Sequence, residues 1–128
     1  MNKVIVAGRI VKGAELRVLP SGKAVAKTTV AVNERYRNQK GDWQERVNYL
    51  DVETFGSLAE RLTKLGKGDK VLIEGKLRQD IFERNGEKRE KIKIIANRIQ
   101  LIAKPKSTNQ NTKKEKTENI DIDIEDII

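Results

Sequence analysis

Apolar and polar residues alternate with the two-residue period of a β-strand over most of the first hundred residues, and only one short segment has the spacing of a helix. Such alternation turns one face of a strand toward a core and the other toward water. The strand patterns cover residues 3–11, 24–33, 45–55, 70–77 and 88–102. This succession restricts the chain to an all-β domain with one short helix.

Turn signals separate the strands. A short strand over residues 15–19 continues the first one, and Gly8 inside the first strand predicts a bulge. Residues 37–42 are polar and predict the loop of a hairpin. Asn85-Gly86 predicts a tight two-residue hairpin turn, because a type I′ turn needs positive φ at both central residues.

The helix pattern follows the third long strand. Ser57 and Glu60 have the spacing of a capping box, and Gly66 is the expected terminator. The apolar stripe consists of Leu58, Leu62 and Leu65. Three strands, one helix and a hairpin of two more strands form the order of the OB-fold, a five-stranded Greek-key barrel. An SH3-like barrel lacks the inserted helix, so we predict an OB-fold over residues 1–103.

Composition excludes several functional classes. The 128 residues contain no His and no Cys, which removes His general bases, Cys nucleophiles, disulfides and the usual zinc sites. No apolar run reaches the roughly 18 residues that a membrane span needs, and the N-terminus has no secretion-signal pattern. We therefore expect a cytoplasmic protein with no metal ion and no cofactor.

Charge is unevenly distributed along the chain. Lys and Arg number 27 against 19 Asp and Glu, a formal net charge of +8, yet residues 118–128 contain five acidic residues and no basic one. Residues 104–119 are polar and lack an apolar period, which predicts a disordered linker. A basic body with an acidic end is typical of a polyanion-binding domain followed by an interaction tail, here residues 104–128. The plainer alternative is a solvated surface.

Six short motifs occur in order along residues 2–78. They are Asn2-Lys3-Val4-Ile5, Gly8-Arg9, Gly22-Lys23-Ala24-Val25-Ala26, Asn48-Tyr49, Phe55-Gly56-Ser57-Leu58-Ala59-Glu60 and Lys67-Gly68-Asp69-Lys70-Val71-Leu72-Ile73-Glu74-Gly75-Lys76-Leu77-Arg78. In sequence and spacing the chain resembles bacterial single-stranded DNA-binding proteins over residues 1–103. The resemblance implies an OB-fold that binds single-stranded DNA without sequence specificity in replication, recombination and repair. It also implies a homotetramer, and such a protein is expected to associate with the nucleoid.

Binding single-stranded DNA without sequence preference needs aromatic rings on which bases stack and a basic groove for the phosphates. The aromatic residues are Tyr36, Trp43, Tyr49, Phe55 and Phe82. The resemblance implies stacking roles for all but Trp43, at positions where the family often has Trp in three of the four. We add Trp43 as a fifth candidate. Trp43 is expected in the first hairpin loop, Tyr36 just before that loop, and Phe82 within the second hairpin. Core packing is the alternative for each ring, and by spacing it fits Phe55 best.

Basic side chains interleave with these rings along the sequence. The predicted phosphate contacts are Arg9, Arg35, Arg37, Arg46, Lys76, Arg78 and Arg84. Solvated surface charge is the usual role of such residues, but their position beside aromatic residues favours contacts with the DNA backbone.

Two carboxylates on one predicted strand face raise an enzymatic alternative. Asp51 and Glu53 share a face with Tyr49 and Phe55, and paired carboxylates can hold Mg²⁺ in nucleases. Carboxylates two residues apart are also common on strands, where Lys or Arg on a neighbouring strand balance them. Gly66-Lys67-Gly68 lacks the spacing of a phosphate-binding loop. With no third acid or base in the motif, we predict that the chain is not an enzyme.

An RNA-binding OB domain and a primosome accessory protein are the remaining alternatives, because stacking alone does not separate RNA from DNA. The acidic tail favours the DNA-binding family, whose members typically end in an acidic stretch closed by Asp-Ile-Pro-Phe. The predicted partner-binding residues are Asp121, Asp123, Glu125, Asp126, Ile127 and Ile128. Ile128 stands where Pro-Phe would follow, so the tail keeps an apolar tip without a ring. We expect replication, recombination and repair proteins to bind it, whereas a purely solubilising tail is the alternative.

Overall fold

The computed structural model describes residues 1–105. Its elements are β1 (Val4–Ile10), β2 (Glu15–Val18), β3 (Ala24–Arg37), β4 (Trp43–Phe55), α1 (Ser57–Leu62), β5 (Lys70–Arg84) and β6 (Glu87–Ala103). The predicted acidic tail, and the predicted linker apart from its first two residues, lie outside the described residues.

Five strands close into a barrel. β1 pairs with β5, β5 with β6, and β3 with β4, all antiparallel, whereas β4 pairs with β6 in parallel. Pairs between β1 and β3 at Arg9 and Ile10 complete the ring, and β2 adds to the edge of β3. With α1 between β4 and β5, this is the predicted OB-fold.

The inward faces of the strands form one hydrophobic core. On β3, Ala26, Thr28 and Val30 are buried, which confirms the face assigned from the alternation. The largest fully buried side chains are Leu62, Ile73, Val30, Val52, Val71 and Thr54. Each apolar side chain of this size contributes about 1.5–3 kcal/mol by its removal from water. The packed core therefore stabilises the barrel from which the longer, exposed strands extend.

Two glycines allow backbones to approach closely. The predicted bulge at Gly8 is wrong, because β1 pairs with β5 residue for residue at this point. Gly8 is needed instead where the barrel closes, since a Cβ atom there would lie 2.5 Å from the carbonyl oxygen of Ala31. The register breaks on β5 immediately before Gly75, where a Cβ atom would collide with the carbonyl oxygen of Ile95.

The helix begins and ends differently from the prediction. Gly56, at φ 69°, is the N-cap and Ser57 is the first helical residue, so Ser57 and Glu60 do not form a capping box. The positive φ of Gly56 turns the chain out of β4, which moves the cap to a residue without a side chain. The helix ends at Leu62 rather than near Gly66, because the N–H groups of Lys64 and Leu65 bond three residues back instead of four. Its leucine stripe packs on the core as predicted.

Two strand pairs extend beyond the barrel and are longer than predicted. β3 and β4 stay paired as far as Arg37 and Trp43, and β5 continues to Arg84. The predictions that placed Tyr36 just before the first hairpin loop and Trp43 within it are therefore wrong, whereas Phe82 lies in the second hairpin as predicted, on β5. The apolar alternation fades in these segments because both of their faces lie largely in water.

The turn of the second strand pair is as predicted. Asn85 and Gly86 have φ values of 55° and 80°, and Arg84 pairs directly with Glu87. Positive φ at both central residues is the signature of a type I′ hairpin. The strand direction beyond the barrel is thus reversed without a flexible loop.

Candidate nucleic-acid interface

Two exposed ribbons carry most of the predicted site. The first ribbon is the outer part of β3 and β4, residues 33–47, and the second ribbon is the outer part of β5 and β6, residues 78–93. Within a ribbon, the side chains of directly paired residues lie on the same face. The strand register therefore decides which of the predicted residues share a surface.

The outer face of β4 bears three of the predicted rings. Trp43, Tyr49 and Phe55 are an even number of positions apart, so they lie on one side of the strand. Trp43 is 57% and Tyr49 67% exposed, which argues against core packing for either ring. Phe55 is half-buried, and the Lys23 ammonium lies 5.1 Å from its ring centroid.

Tyr36 lies on the opposite face of the first ribbon. It pairs with Gln44, whereas Trp43 pairs with Arg37, and adjacent pairs point to alternate faces. The guanidinium carbon of Arg46 lies 4.5 Å from the Tyr36 ring centroid. A nucleic-acid strand that contacts both Tyr36 and the rings of β4 has to pass around the edge of this ribbon.

The indole of Trp43 contacts two of the predicted phosphate ligands. The guanidinium carbons of Arg35 and Arg37 each lie 5.2 Å from its ring centroid. Cations at this distance are attracted by the face of an aromatic ring. Trp43 therefore holds both guanidinium groups near its own exposed surface.

A groove of about 450 Å³ runs between β1 and the first ribbon. Its charged and aromatic lining residues are Arg9, Arg35, Lys70, Glu34, Glu45 and Trp43, so basic side chains outnumber acidic ones by three to two beside the indole. Arg9 Nη1 donates a hydrogen bond of 2.8 Å to the carbonyl oxygen of Gly68, which fixes the guanidinium beside the groove. The structure thus brings Arg9 of β1 to the same groove as Trp43 of β4.

The predicted residues of β5 share one face of the second ribbon. Lys76, Arg78, Phe82 and Arg84 are two or four positions apart along the strand. Phe82 is 41% exposed. Its direct partner across the ribbon is Arg89, a cation that the sequence pattern does not single out because the pattern alone does not give the register of the hairpin.

Phe55 and Arg78 meet in a cleft of about 650 Å³. Arg17 and Lys27 line the same cleft, and sequence reasoning missed both. Arg17 pairs with Val25, and Val25 pairs with Phe55, so the three lie in a row on one face. The sequence shows the alternation of β2, but it does not show that β2 pairs with β3.

Asp51 and Glu53, the residues of the enzymatic alternative, are balanced by lysines on neighbouring strands. Lys91 Nζ lies 3.3 Å from the Asp51 carboxylate, and Lys93 Nζ lies 2.6 Å from that of Glu53. Lys27 Nζ approaches Glu53 at 3.8 Å. Within residues 1–105, no three His, Cys, Asp or Glu side chains are grouped so as to hold a metal ion. Cross-strand ion pairing accounts for both carboxylates.

Residues 1–102 match the sequence model of the single-strand binding protein family. The chain belongs to this family. A single-stranded DNA-binding protein of Aquifex aeolicus is 40% identical over 116 residues, which are 90% of this chain and 79% of the relative. That of Deinococcus radiodurans is 37% identical over 105 residues, 81% of this chain but 35% of the longer relative. The resemblance seen in the six motifs is confirmed.

Solved structures of the family share this fold. A deletion mutant of the single-stranded DNA binding protein from Thermus aquaticus aligns with a TM-score of 0.73 at 26% identity, over 80% of this chain and 50% of the other. A Plasmodium falciparum SSB complex with ssDNA also gives a TM-score of 0.73, at 22% identity, over 80% and 94% of the two chains. Because its sequence identity is only 22%, the similarity to the P. falciparum protein shows the fold alone.

Membership in this family of non-enzymatic DNA-binding proteins confirms the prediction that the chain is not an enzyme. Over the described part of the chain, no helix has the length and apolar character needed to cross a membrane.

Proposed function

We propose that this chain binds single-stranded DNA without sequence preference and protects it during replication, recombination and repair. The observation that carries the proposal is the surface formed by the outer face of β4 and the second ribbon, where exposed rings and basic side chains are interleaved. A duplex hides its base faces, whereas a single strand offers them to such rings. The names of the bacterial relatives and the ssDNA complex of the P. falciparum protein support the same ligand.

In this proposal the bases stack and the phosphates pair with cations. The stacking residues are Tyr36, Trp43, Tyr49, Phe55 and Phe82, and the phosphate contacts are Arg9, Arg35, Arg37, Arg46, Lys76, Arg78 and Arg84. Arg17 joins the phosphate contacts through its place in the cleft beside Phe55. Each stacked base contributes about 1–3 kcal/mol and every base has a face to stack, so the surface is tolerant of sequence.

A competition experiment tests the nature of the ligand. Labelled oligo-dT bound to the chain is displaced by unlabelled oligo-dT, mixed-sequence DNA or oligo-U of equal length. We expect the two DNAs to compete within about fivefold of each other, because stacking does not depend on base edges. Oligo-U is expected to compete less well, since its 2′-hydroxyls add polar groups that rings cannot satisfy. Displacement by oligo-U at the concentrations needed for DNA would favour the RNA-binding alternative.

We also propose that the chain forms a homo-oligomer, a tetramer on the pattern of the family. β1 pairs with β3 only at Arg9 and Ile10, so among the described residues the backbone of residues 4–8 keeps one edge that no strand covers. Ile5 within this segment is 58% exposed. An open apolar edge favours pairing with another chain. Sedimentation at micromolar concentration is expected to give the mass of four chains, and a monomer at that concentration would contradict the proposal.

We further propose that residues 1–103 are the DNA-binding domain and that residues 104–128 are a linker and docking tail. Five acidic residues and no basic one in residues 118–128 favour electrostatic steering toward a basic pocket on a partner. Ile127 and Ile128 supply apolar side chains that can anchor there. The partners are replication, recombination and repair proteins, which places the chain in the cytoplasm with the nucleoid.

A further inference from the structure

The second ribbon leaves the barrel at a defined point. β4 and β6 are paired only at Val52 with Ile94 and at Glu53 with Ile95. From Lys93 toward the turn, β6 has no backbone pairing except with β5 within residues 1–105. A two-stranded ribbon is marginally stable by itself in water. Contacts other than the sheet must therefore fix the direction in which the ribbon projects.

Ion pairs bridge the gap where the strands part. Lys93 Nζ lies 2.6 Å from Glu53 Oε1 on β4 and 2.7 Å from Asp80 Oδ2 on β5. Lys91 Nζ, one step nearer the turn on the same face, lies 3.3 Å from Asp51 Oδ2 on β4. Glu53, Asp80 and Lys93, here named the Lys93 bridge, thus join all three strands at the base of the second ribbon.

Lys93 and Glu53 are the shielded part of the Lys93 bridge, whereas the Asp80 side chain is 41% exposed. The side chains of Lys93 and Glu53 are 15% and 9% exposed, so their attraction is screened less than that of a surface pair. Burial alone would lower the pKa of Lys93, but the hydrogen bonds to Asp80 and Glu53 outweigh it and raise that pKa. The same hydrogen bond from Lys93 lowers the pKa of Asp80. Lys93 and Asp80 therefore each stabilise the charged form of the other.

The bridge lies on the surface that carries the rings. Arg78 pairs directly with Lys93, and Phe82 follows Asp80 by two positions on the same face of β5. Glu53 lies between Tyr49 and Phe55 on the outer face of β4. Any change in the angle of the second ribbon consequently changes the distance from Phe82 to the rings of β4.

We propose that Asp80 and Glu53 are positioning residues that act through Lys93 to hold the second ribbon at the angle at which Phe82 and the rings of β4 engage one DNA strand together. This inference rests on the proposed function, because it assumes that those rings stack on bases. It adds Asp80, Lys93 and Glu53 to the site, and of these the sequence marks only Glu53, as a carboxylate of the enzymatic alternative. Asp80 and Glu53 contribute by geometry, although their charge is repelled by DNA.

Because of that repulsion, an electrostatic role and a positioning role of Asp80 predict opposite changes in DNA affinity when its charge is removed. Asp80→Asn removes a negative charge from a DNA-binding face and leaves Lys93 at most a neutral hydrogen bond to the amide oxygen, so simple electrostatics predicts tighter binding. Loss of the ribbon's angle predicts weaker binding instead, by about threefold to tenfold, a part of what the loss of a stacked base costs. Glu87→Gln is the matched control. Glu87 lies on the same face near the turn and is 3.5 Å from Arg89 on its own strand, so it has the same charge without a bridge to β4.

Anisotropy titrations with oligo-dT compare the wild-type chain with Asp80→Asn, Glu87→Gln, Phe82→Ala and the Asp80→Asn/Phe82→Ala double variant. We expect the threefold to tenfold loss for Asp80→Asn and none for Glu87→Gln. In the Phe82→Ala background, Asp80→Asn should cost nothing further, because the ring it positions is gone. Equal or tighter binding by Asp80→Asn, or the same loss in both backgrounds, would overturn the inference.

A second measurement needs no DNA. Hydrogen exchange of the free protein should be faster at amides 78–84 in Asp80→Asn than in Glu87→Gln, because the ribbon base opens more often. Glu53→Gln weakens the same bridge from the β4 side by removing its charge and is expected to behave like Asp80→Asn. This second variant keeps the test decisive if the first does not fold. Unchanged exchange in both bridge variants would overturn the inference. Failure of the wild-type chain to bind oligo-dT would instead overturn the proposed function, and the exchange result would still stand.

Discussion

Replacing Tyr49 and Phe82 together with alanine is expected to weaken oligo-dT binding on the order of 30-fold or more while the barrel stays folded. Two lost stacks at about 1 kcal/mol or more each account for that factor. Stability should change little, because Tyr49 is 67% and Phe82 41% exposed and neither belongs to the core. Anisotropy titration gives the affinity, and thermal unfolding gives the stability of the same samples.

Val47→Ala with Ile81→Ala is the matched control for this pair. Both side chains are exposed and apolar, and they lie on the first and second ribbons respectively, but neither has a ring. The control variant should bind oligo-dT as the wild type does. If the ring variant instead loses its cooperative unfolding transition, the rings are structural and the stacking proposal is wrong for these two residues.

Deleting residues 118–128 is expected to abolish recovery of replication and repair proteins with the chain, while oligo-dT binding stays the same or becomes slightly tighter. The segment removed has five acidic residues and no basic one, so a competing anion is lost along with the docking site. Affinity capture with the tagged full chain and the deletion variant, followed by identification of the bound proteins, measures the effect.

Ile127→Ala with Ile128→Ala separates docking from solubility. This variant keeps all five acids of the tail, so a tail that only solubilises should be unaffected. We expect it to lose partner recovery nearly as fully as the deletion does. Unchanged recovery after the deletion itself would leave the tail with no role in docking.

Features set by neighbouring residues could be predicted from the sequence. Asn85-Gly86 predicted its turn because both φ values are a local property of those two residues. The buried face of β3 followed from alternation, because that part of the strand lies between a core and water. These features make up most of the barrel, and the OB-fold prediction rested on them.

Features set by distant contacts could not be predicted in the same way. The ribbons were predicted too short because a strand with both faces in water has no apolar period to mark it. A glycine is required at position 75 because the backbone of Ile95, on another strand, approaches too closely to leave room for a Cβ atom. The lysines that balance Asp51 and Glu53 were expected as a class, but only the register identifies Lys91 and Lys93.

The candidate site combines both kinds of feature. All five aromatic residues are candidates from the sequence, because the chain has so few of them and the family resemblance implies a stacking role for four. Their grouping was not, since Tyr36 and Trp43 lie on opposite faces of the first ribbon, a consequence of the register alone. Arg17 was missed for the same reason, because its neighbour across the sheet determines its place.

The most direct measurement for the central claim is a pair of anisotropy titrations of the full chain, one with oligo-dT and one with duplex DNA of the same length and at the same salt concentration. Both ligands offer phosphates to the basic side chains, but only the single strand offers base faces to the rings. The account predicts that oligo-dT binds at least about 30-fold more tightly than the duplex, since two or more stacks at about 1–3 kcal/mol each are available to it alone. Duplex binding as tight as oligo-dT binding would contradict it, because the rings would then contribute nothing.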